Sequence, residues 1–253
     1  MRYAVQLSCS IVFFLIKGVT GLMAQDLTFG GIAPSLSFSN DVSGKIDLNV
    51  LATSKIREGN RTVKEVNYQS QVLEIYTQAL INYKVNHNIL AGTGYGFQKN
   101  NPFRNDYRNE NRIVQQVLYS FSINKIKLYN RFRFEERWFE YPDHSRDFAT
   151  RARYQAGIIR QIGKNKTYWQ MNDEIYFTTS GKRNSLISEN WIYSGINFLI
   201  NKVGRIETGI GYNGIIRNEH RDLTNLFLVQ LAWALMRSHH TEIMNPVMRM
   251  HQY

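Results

Sequence analysis

From Ile126 to Trp138 the chain reads Ile-Lys-Leu-Tyr-Asn-Arg-Phe-Arg-Phe-Glu-Glu-Arg-Trp, an alternation with a period of two residues. In a strand, Ile126, Leu128, Phe132, Phe134 and Trp138 share one face, and Lys127, Tyr129, Arg131, Arg133, Glu135 and Arg137 share the other. An apolar face is ordinary for any sheet. Five charges in six successive positions of the opposite face are not. A strand with lipid on one side and a polar lumen on the other meets both demands at once.

The rest of the chain extends this pattern. Period-2 segments recur at about 45–54, 69–85, 88–97, 112–123, 126–139, 148–162, 167–179, 188–200, 204–214 and 223–235. Leu73, Ile75, Thr77, Ala79, Ile81 and Tyr83 share a face in the second, and Val117, Tyr119, Phe121 and Ile123 in the fourth, opposite Gln116, Ser120 and Ser122. Connections alternate in length. Asn86-His87-Asn88, Asn124-Lys125, Gly163 to Lys166 and Asn201 to Val203 read as tight turns, whereas 55–68, 98–111, 140–147, 180–187 and 215–222 are longer and polar. Short turns on one side and long loops on the other predict an all-β fold, an antiparallel transmembrane β-barrel of about 10 strands, with 12 as the alternative. Strand parity and the strand-weakening Gly30, Gly31 and Pro34 assign residues 25–44 to an N-terminal arm, partial strand or lumenal plug. The barrel then spans 45–235, followed by a tail over 236–253. Aromatic girdles are expected from Tyr95, Phe97, Trp138, Phe139, Phe148, Tyr176 and Phe177 at the outer rim, and from Tyr83, Phe121, Trp169, Phe198 and Trp233 at the inner one.

The N-terminus predicts export. Arg2 precedes a short apolar core, Ile11 to Ile16, and Leu22-Met23-Ala24 leads into Gln25-Asp26, the layout of a signal peptide over 1–24. The apolar run is well short of the roughly 20 residues of a spanning helix. Cys9, the only cysteine, lies within it, so the mature chain has no thiol for catalysis or metal binding. Loss of Arg2 and Lys17 takes the net charge from +11 to +9. That basic balance fits anionic lipid or an anionic solute, and export makes nucleic acid the poorest match.

The runs Asn130-Arg131-Phe132-Arg133-Phe134-Glu135-Glu136-Arg137-Trp138, Arg151-Ala152-Arg153-Tyr154-Gln155 and Asn172-Asp173-Glu174-Ile175-Tyr176 resemble the core of the family known as domain of unknown function 2490. The resemblance covers most of the mature chain and is tightest over 110–200. It implies a Gram-negative outer-membrane β-barrel, porin-like in architecture, and supplies no reaction. Trp191 stands where the family pattern usually has arginine, and the 236–253 tail extends beyond where such barrels stop.

The strongest candidate site is a lumen charge network of Arg131, Arg133, Glu135, Arg137, Arg151, Arg153 and Glu174. Arginine facing lipid at the bilayer centre costs roughly 2–4 kcal/mol, which turns these residues inward. Glu135 is expected opposite Arg153, and Glu174 near Arg153 and Gln155, with Tyr129, Asn172 and Tyr176 in support. Such a ladder is either a salt-bridged plug of structural role or a narrow channel for small anionic solutes. The alternative function is an outer-membrane hydrolase, protease or lipase, with a rim site at Asp143-His144-Ser145 or Glu219-His220-Arg221-Asp222. A soluble lipocalin-like barrel ranks third, since its interior should be apolar. Gly92-Thr93-Gly94-Tyr95-Gly96 reads as room for bulky lumen side chains rather than a phosphate loop. His239-His240 lacks a third ligand, and no catalytic residue, metal site or cofactor is assigned. The loop cations Arg57, Arg61, Lys64, Arg104, Arg108, Lys182, Arg183, Arg217 and Arg221 are either solvated or directed at lipopolysaccharide phosphates. The partners expected are outer-membrane lipid, lipopolysaccharide and the barrel-assembly machinery, with no nucleic acid, for a monomer in the outer membrane.

Overall fold

The computed structural model describes residues 27–63, 66–162, 167–181, 187–200, 204–216 and 223–237. Among them are thirteen strands and no helix: β1 (Leu27–Ser43), β2 (Ile46–Glu58), β3 (Arg61–Val63), β4 (Val66–Tyr68), β5 (Gln71–Lys84), β6 (Ile89–Asn100), β7 (Arg108–Ile123), β8 (Ile126–Glu140), β9 (Arg146–Ile162), β10 (Thr167–Ser180), β11 (Ile187–Ile200), β12 (Gly204–Ile216) and β13 (Leu223–Arg237). Eleven close into a barrel in the order β1-β13-β12-β11-β10-β9-β8-β7-β6-β5-β2, and β3 and β4 form a small hairpin in the loop after β2.

The ten segments read from period-2 patterning correspond to the ten barrel strands from β2 onward. The eleventh corrects the expected count. Leu27–Ser43, expected as an arm, partial strand or plug, is a full strand, antiparallel to β2 and parallel to β13. An odd number of alternating strands brings the first and last in the same direction, so this seam has to be parallel. Closure with an odd count is what makes this one seam parallel while every other pairing in the barrel is antiparallel. The residues that looked like strand breakers fit special places. A Cβ on Gly31 would collide with the Ile56 carbonyl, so the backbones meet at a position only glycine fills. Pro34 lies where the β1–β2 ladder lapses between Ile32↔Ile56 and Ser35↔Thr53, so its missing N–H breaks no pairing there. Thr53 Oγ1 donates to the Pro34 carbonyl at 3.1 Å across the gap.

Turn chemistry is local. Asn86 Oδ1 accepts from the backbone N–H groups of Asn88 and Ile89 at 2.8 and 2.9 Å, which folds the β5–β6 connection. Asn124 takes φ 54°, the left-handed conformation that a two-residue hairpin needs and asparagine tolerates.

The distribution of side chains is inverted relative to a soluble globule. Leu36, Val50, Ile81, Val117, Phe132, Ile196, Ile210 and Leu231 are exposed on the outer surface, while buried polar and charged side chains outnumber buried apolar ones among the described residues. The interior still has apolar layers. Leu90, Leu118, Tyr129 and Ile159 pack together near the short-turn end, with Tyr168 against them. Tyr129 lies over Gly157, where a Cβ would run into its ring. Gly96 likewise faces Tyr76, and Gly92 faces Asn82, so the glycine alternation of β6 makes room for inward side chains. The aromatic assignment needs one correction. Tyr95, Trp138, Phe148, Tyr83, Phe198 and Trp233 are exposed on the outer face, but Phe139 and Tyr176 are buried inside, because their positions share the inward parity of Arg137 and Glu174.

Gly157→Ala should therefore displace Tyr129 and lower the stability of the folded barrel by roughly 1–3 kcal/mol. Urea titration followed by tryptophan fluorescence measures it, and in a Tyr129→Ala chain, where no ring fills that space, the same Gly157→Ala change should cost markedly less. An unchanged midpoint for Gly157→Ala would contradict the tight apolar layer.

Candidate functional site

The inward face of β7 to β10 carries an ion-pair network whose members come from strand alternation. Arg131, Arg133, Glu135 and Arg137 lie along β8; Arg151 and Arg153 on β9, Glu174 on β10, and Glu110 and Arg112 on β7 extend the same inner face. Glu135 accepts from Arg151 Nε at 2.8 Å and Nη2 at 2.5 Å, and from Arg153 Nη1 at 2.7 Å. Arg153 then bridges to Glu174 through Nε at 3.0 Å and Nη2 at 2.8 Å. Arg131 Nη2 reaches Glu174 Oε1 at 3.2 Å, and the Tyr176 hydroxyl donates to Glu174 Oε2 at 3.1 Å. Glu110 binds Arg112 and receives Arg137 Nε at 2.6 Å and Nη2 at 3.0 Å. Aromatic rings back the guanidinium groups: Arg153 stands 4.4 Å and Arg151 4.8 Å from the Tyr176 ring centre, and Arg137 4.9 Å from that of Phe139.

All seven residues singled out in the sequence face the lumen, and six of them enter ion pairs. The register differs by one step from the expected one. Arg153 lies directly across from Arg133 and Glu135 across from Arg151, so Glu135 meets Arg153 diagonally. Glu174 lies across from Gln155 and bonds Arg153, and Gln155 Nε2 donates to Asn172 Oδ1 at 3.0 Å. Arg133 is the exception: its guanidinium donates to two amide oxygens, Gln78 Oε1 at 3.3 Å and Gln116 Oε1 at 2.9 Å.

Sequence reasoning missed two parts of the interior. Glu110 fell in the expected 98–111 loop, although Arg108-Asn109-Glu110-Asn111-Arg112 has the same alternation as β8 and was its available signal. Lys55 was placed at the start of an outer loop. Its ammonium lies 3.3 Å from Glu74 and 3.5 Å from Glu189, donates to Asn213 Oδ1 at 3.1 Å and stands 5.1 Å from the Trp191 ring centre. Glu189 is on β11, four strands round the barrel from β2, so this tie crosses the lumen and no local pattern announces it.

Above the network is a cavity of about 840 Å³ that reaches the long-loop rim at Tyr141, Pro142 and Ser145 and reaches inward to Arg133, Arg153, Glu174 and Tyr76. Arg131, one step further along β8, is 1% exposed, and the Tyr129–Leu118–Leu90–Ile159 layer follows towards the short-turn end. The interior is therefore a cup on the long-loop side above a packed half.

The loop candidates behave differently. Asp143 accepts from the hydroxyl of Ser145 at 2.6 Å and from its backbone N–H at 3.0 Å, which hold its carboxyl below the ordinary aspartate range. His144 adopts φ 61° and its backbone N–H caps the Tyr141 carbonyl at 2.9 Å. The serine hydroxyl is thus bound by its own turn, with no histidine between it and the carboxylate. Glu219, His220, Arg221, Asp222, His239 and His240 lie outside the described residues, as do Lys64, Lys182, Arg183, Arg217 and Arg221 among the loop cations. Arg57 is not a solvated loop cation but a buried one, donating to the Gln69 carbonyl at 2.8 Å and standing 4.8 Å from the Phe29 ring centre. Arg108 stacks 5.0 Å from Phe139, and Arg104 pairs with Asp106 in an exposed turn. No cluster of three or more metal-ligating side chains occurs among the described residues.

Closed strand order, an ion-paired interior and a cup at one end define a β-barrel with a partly filled lumen. The family model described as "Protein of unknown function (DUF2490)" matches residues 34–224, and the chain belongs to that family. No match was found among curated proteins.

Glu135 pairs with three guanidinium groups in the interior, those of Arg112, Arg151 and Arg153, so Glu135→Ala should destabilise the barrel by roughly 3–5 kcal/mol. The exposed rim pair of Glu140 with Arg146 at 3.8 Å gives the contrast. Glu140→Ala should stay within about 0.5 kcal/mol of wild type in the same urea titration. Equal effects of the two substitutions would remove the buried network from the list of stabilising features.

Proposed function

We propose that the protein is an exported, monomeric outer-membrane β-barrel whose lumen is a receptor cup for small anionic solutes rather than an open channel. The observation that carries the membrane assignment is the inversion of side chains, with an apolar outer surface around an interior of paired arginine and glutamate. Strands of 12 to 17 residues support it. At about 3.3 Å per residue, even the shortest exceeds the roughly 25 Å apolar band after a tilt near 40°. Exposed Trp138 and Phe148 at one rim and Trp233 and Phe198 at the other suit the two interfaces. On this reading the long-loop rim faces outward among lipopolysaccharide, outer-membrane lipid surrounds the wall, and the barrel-assembly machinery inserts the chain after signal cleavage.

The cup reading rests on the packed half of the lumen. Tyr129, Leu118, Leu90 and Ile159 occupy the short-turn side, and the ion pairs above them tie strands across the interior. A structural plug and a binding cup are compatible, since the plug is the floor of the cup. The seven cationic side chains that line the cavity, against five acidic ones, favour an anion over a cation.

Localisation and conductance measurements test this. The protein should fractionate with outer membranes and show heat-modifiable migration, and Asp143→Cys should react with a membrane-impermeant maleimide on intact cells. Recovery as a soluble periplasmic protein would overturn the membrane assignment. In planar bilayers the purified barrel should show no stable open conductance; reproducible ohmic steps would restore the channel and sink the cup.

A further inference from the structure

We infer that the floor of the cup binds the oxyanion head of a small organic anion, a carboxylate or a phosphate ester, at Arg133. This rests on the reading of the cup as a binding chamber and adds the chemical class of its occupant.

Arg133 is 1% exposed and lines the cavity floor. Guanidinium keeps its proton under all ordinary conditions, so this buried charge persists. Its neighbours find counter-charges: Arg131 reaches Glu174, Arg151 reaches Glu135, and Arg153 reaches both. Arg133 forms no ion pair among the described residues. Its donors meet only the neutral amide oxygens of Gln78 and Gln116, and its Nε has no hydrogen-bond partner. The register sharpens the imbalance, because Arg153 lies directly opposite and Arg131 is two residues along the same face. Glu135 already pairs with Arg112, Arg151 and Arg153, and Glu174 with Arg131 and Arg153, so the charge of each is committed to other arginines. A buried cation among other cations is stabilised by an anion brought from outside, and the cavity leads to it.

The size and walls of the cavity specify more than a bare ion. About 840 Å³ is the scale of a small-molecule pocket rather than of a halide site. Phe139, Tyr141 and Trp191 line its upper wall, so an apolar or aromatic body above the oxyanion would find rings to pack against.

Isothermal titration calorimetry on the purified full chain in detergent, at constant ionic strength in sodium chloride, tests this with phenyl phosphate, benzoate and inorganic phosphate. Wild type should bind phenyl phosphate or benzoate saturably at one site, with inorganic phosphate weaker. Arg133→Gln should weaken binding at least tenfold, and Arg146→Gln at the exposed rim should leave it unchanged. Without ligand, Arg133→Gln should unfold at the same or a higher urea concentration than wild type, because it removes an uncompensated charge. A destabilised or unfolded Arg133→Gln barrel would make Arg133 a structural tie and overturn the inference. Arg133→Lys keeps the charge but loses the planar fork, and at least a threefold loss of affinity is expected from it. Absence of saturable binding to wild type, affinity indifferent to Arg133→Gln or Arg133→Lys, or inorganic phosphate binding as well as phenyl phosphate would each overturn it. A barrel that fractionates with outer membranes yet binds none of these probes would defeat this inference and leave the membrane assignment standing.

Discussion

Arginine cannot shed its charge, and the architecture follows from where that charge can go. Arg131 and Arg133 on β8 and Arg151 and Arg153 on β9 occupy alternate positions, so all four point to the same side of the sheet. On the outer surface they would stand among Phe132 and its apolar neighbours; inside they meet Glu135 and Glu174. Once they are inside, the period of two carries every intervening residue outward. The apolar exterior and the charged interior are one decision seen from two sides.

The interior is stabilised less by the number of charges than by how they are shared. Buried ion pairs lose hydration, and recover it only when geometry and additional hydrogen bonds are good. Here one carboxylate is shared among several guanidiniums and a tyrosine ring backs two of them, as at Glu135 with Arg112, Arg151 and Arg153, the last two against Tyr176. The tie of Lys55 to Glu189 joins strands that are not neighbours, and so braces the barrel against ovalisation. The braced layer, resting on Tyr129 and its aliphatic neighbours, divides the lumen into a filled half and a cup. That division is what turns a charged interior from a candidate pore into a candidate receptor surface.

How much of this the primary structure announces varies with range. The ten strands from β2 onward are legible because a period of two is a local property, as are turns made by Asn86 and Asn124. β1 was misread for a physical reason. Gly31 and Pro34 weaken a generic strand, and only the close approach of Ile56 and the lapse in pairing opposite Pro34 make them fitting there. Phe139 and Tyr176 were assigned to the girdle by their nearness to strand ends, while parity, which overrides position, puts them inside. Glu110 was hidden by a loop boundary set too late, and Lys55 by one set too early.

The sequence by itself determined which side of each strand is polar, and therefore which residues line the lumen, because alternation needs no knowledge of the neighbouring strand. Tertiary structure alone decided the eleventh strand, the parallel seam, the partners of each charge and the lack of an ion pair at Arg133 among the described residues. Those depend on curvature, closure and a register in which one step exchanges Glu135 for Arg133 opposite Arg153, and such contacts have no period in the chain from which to read them.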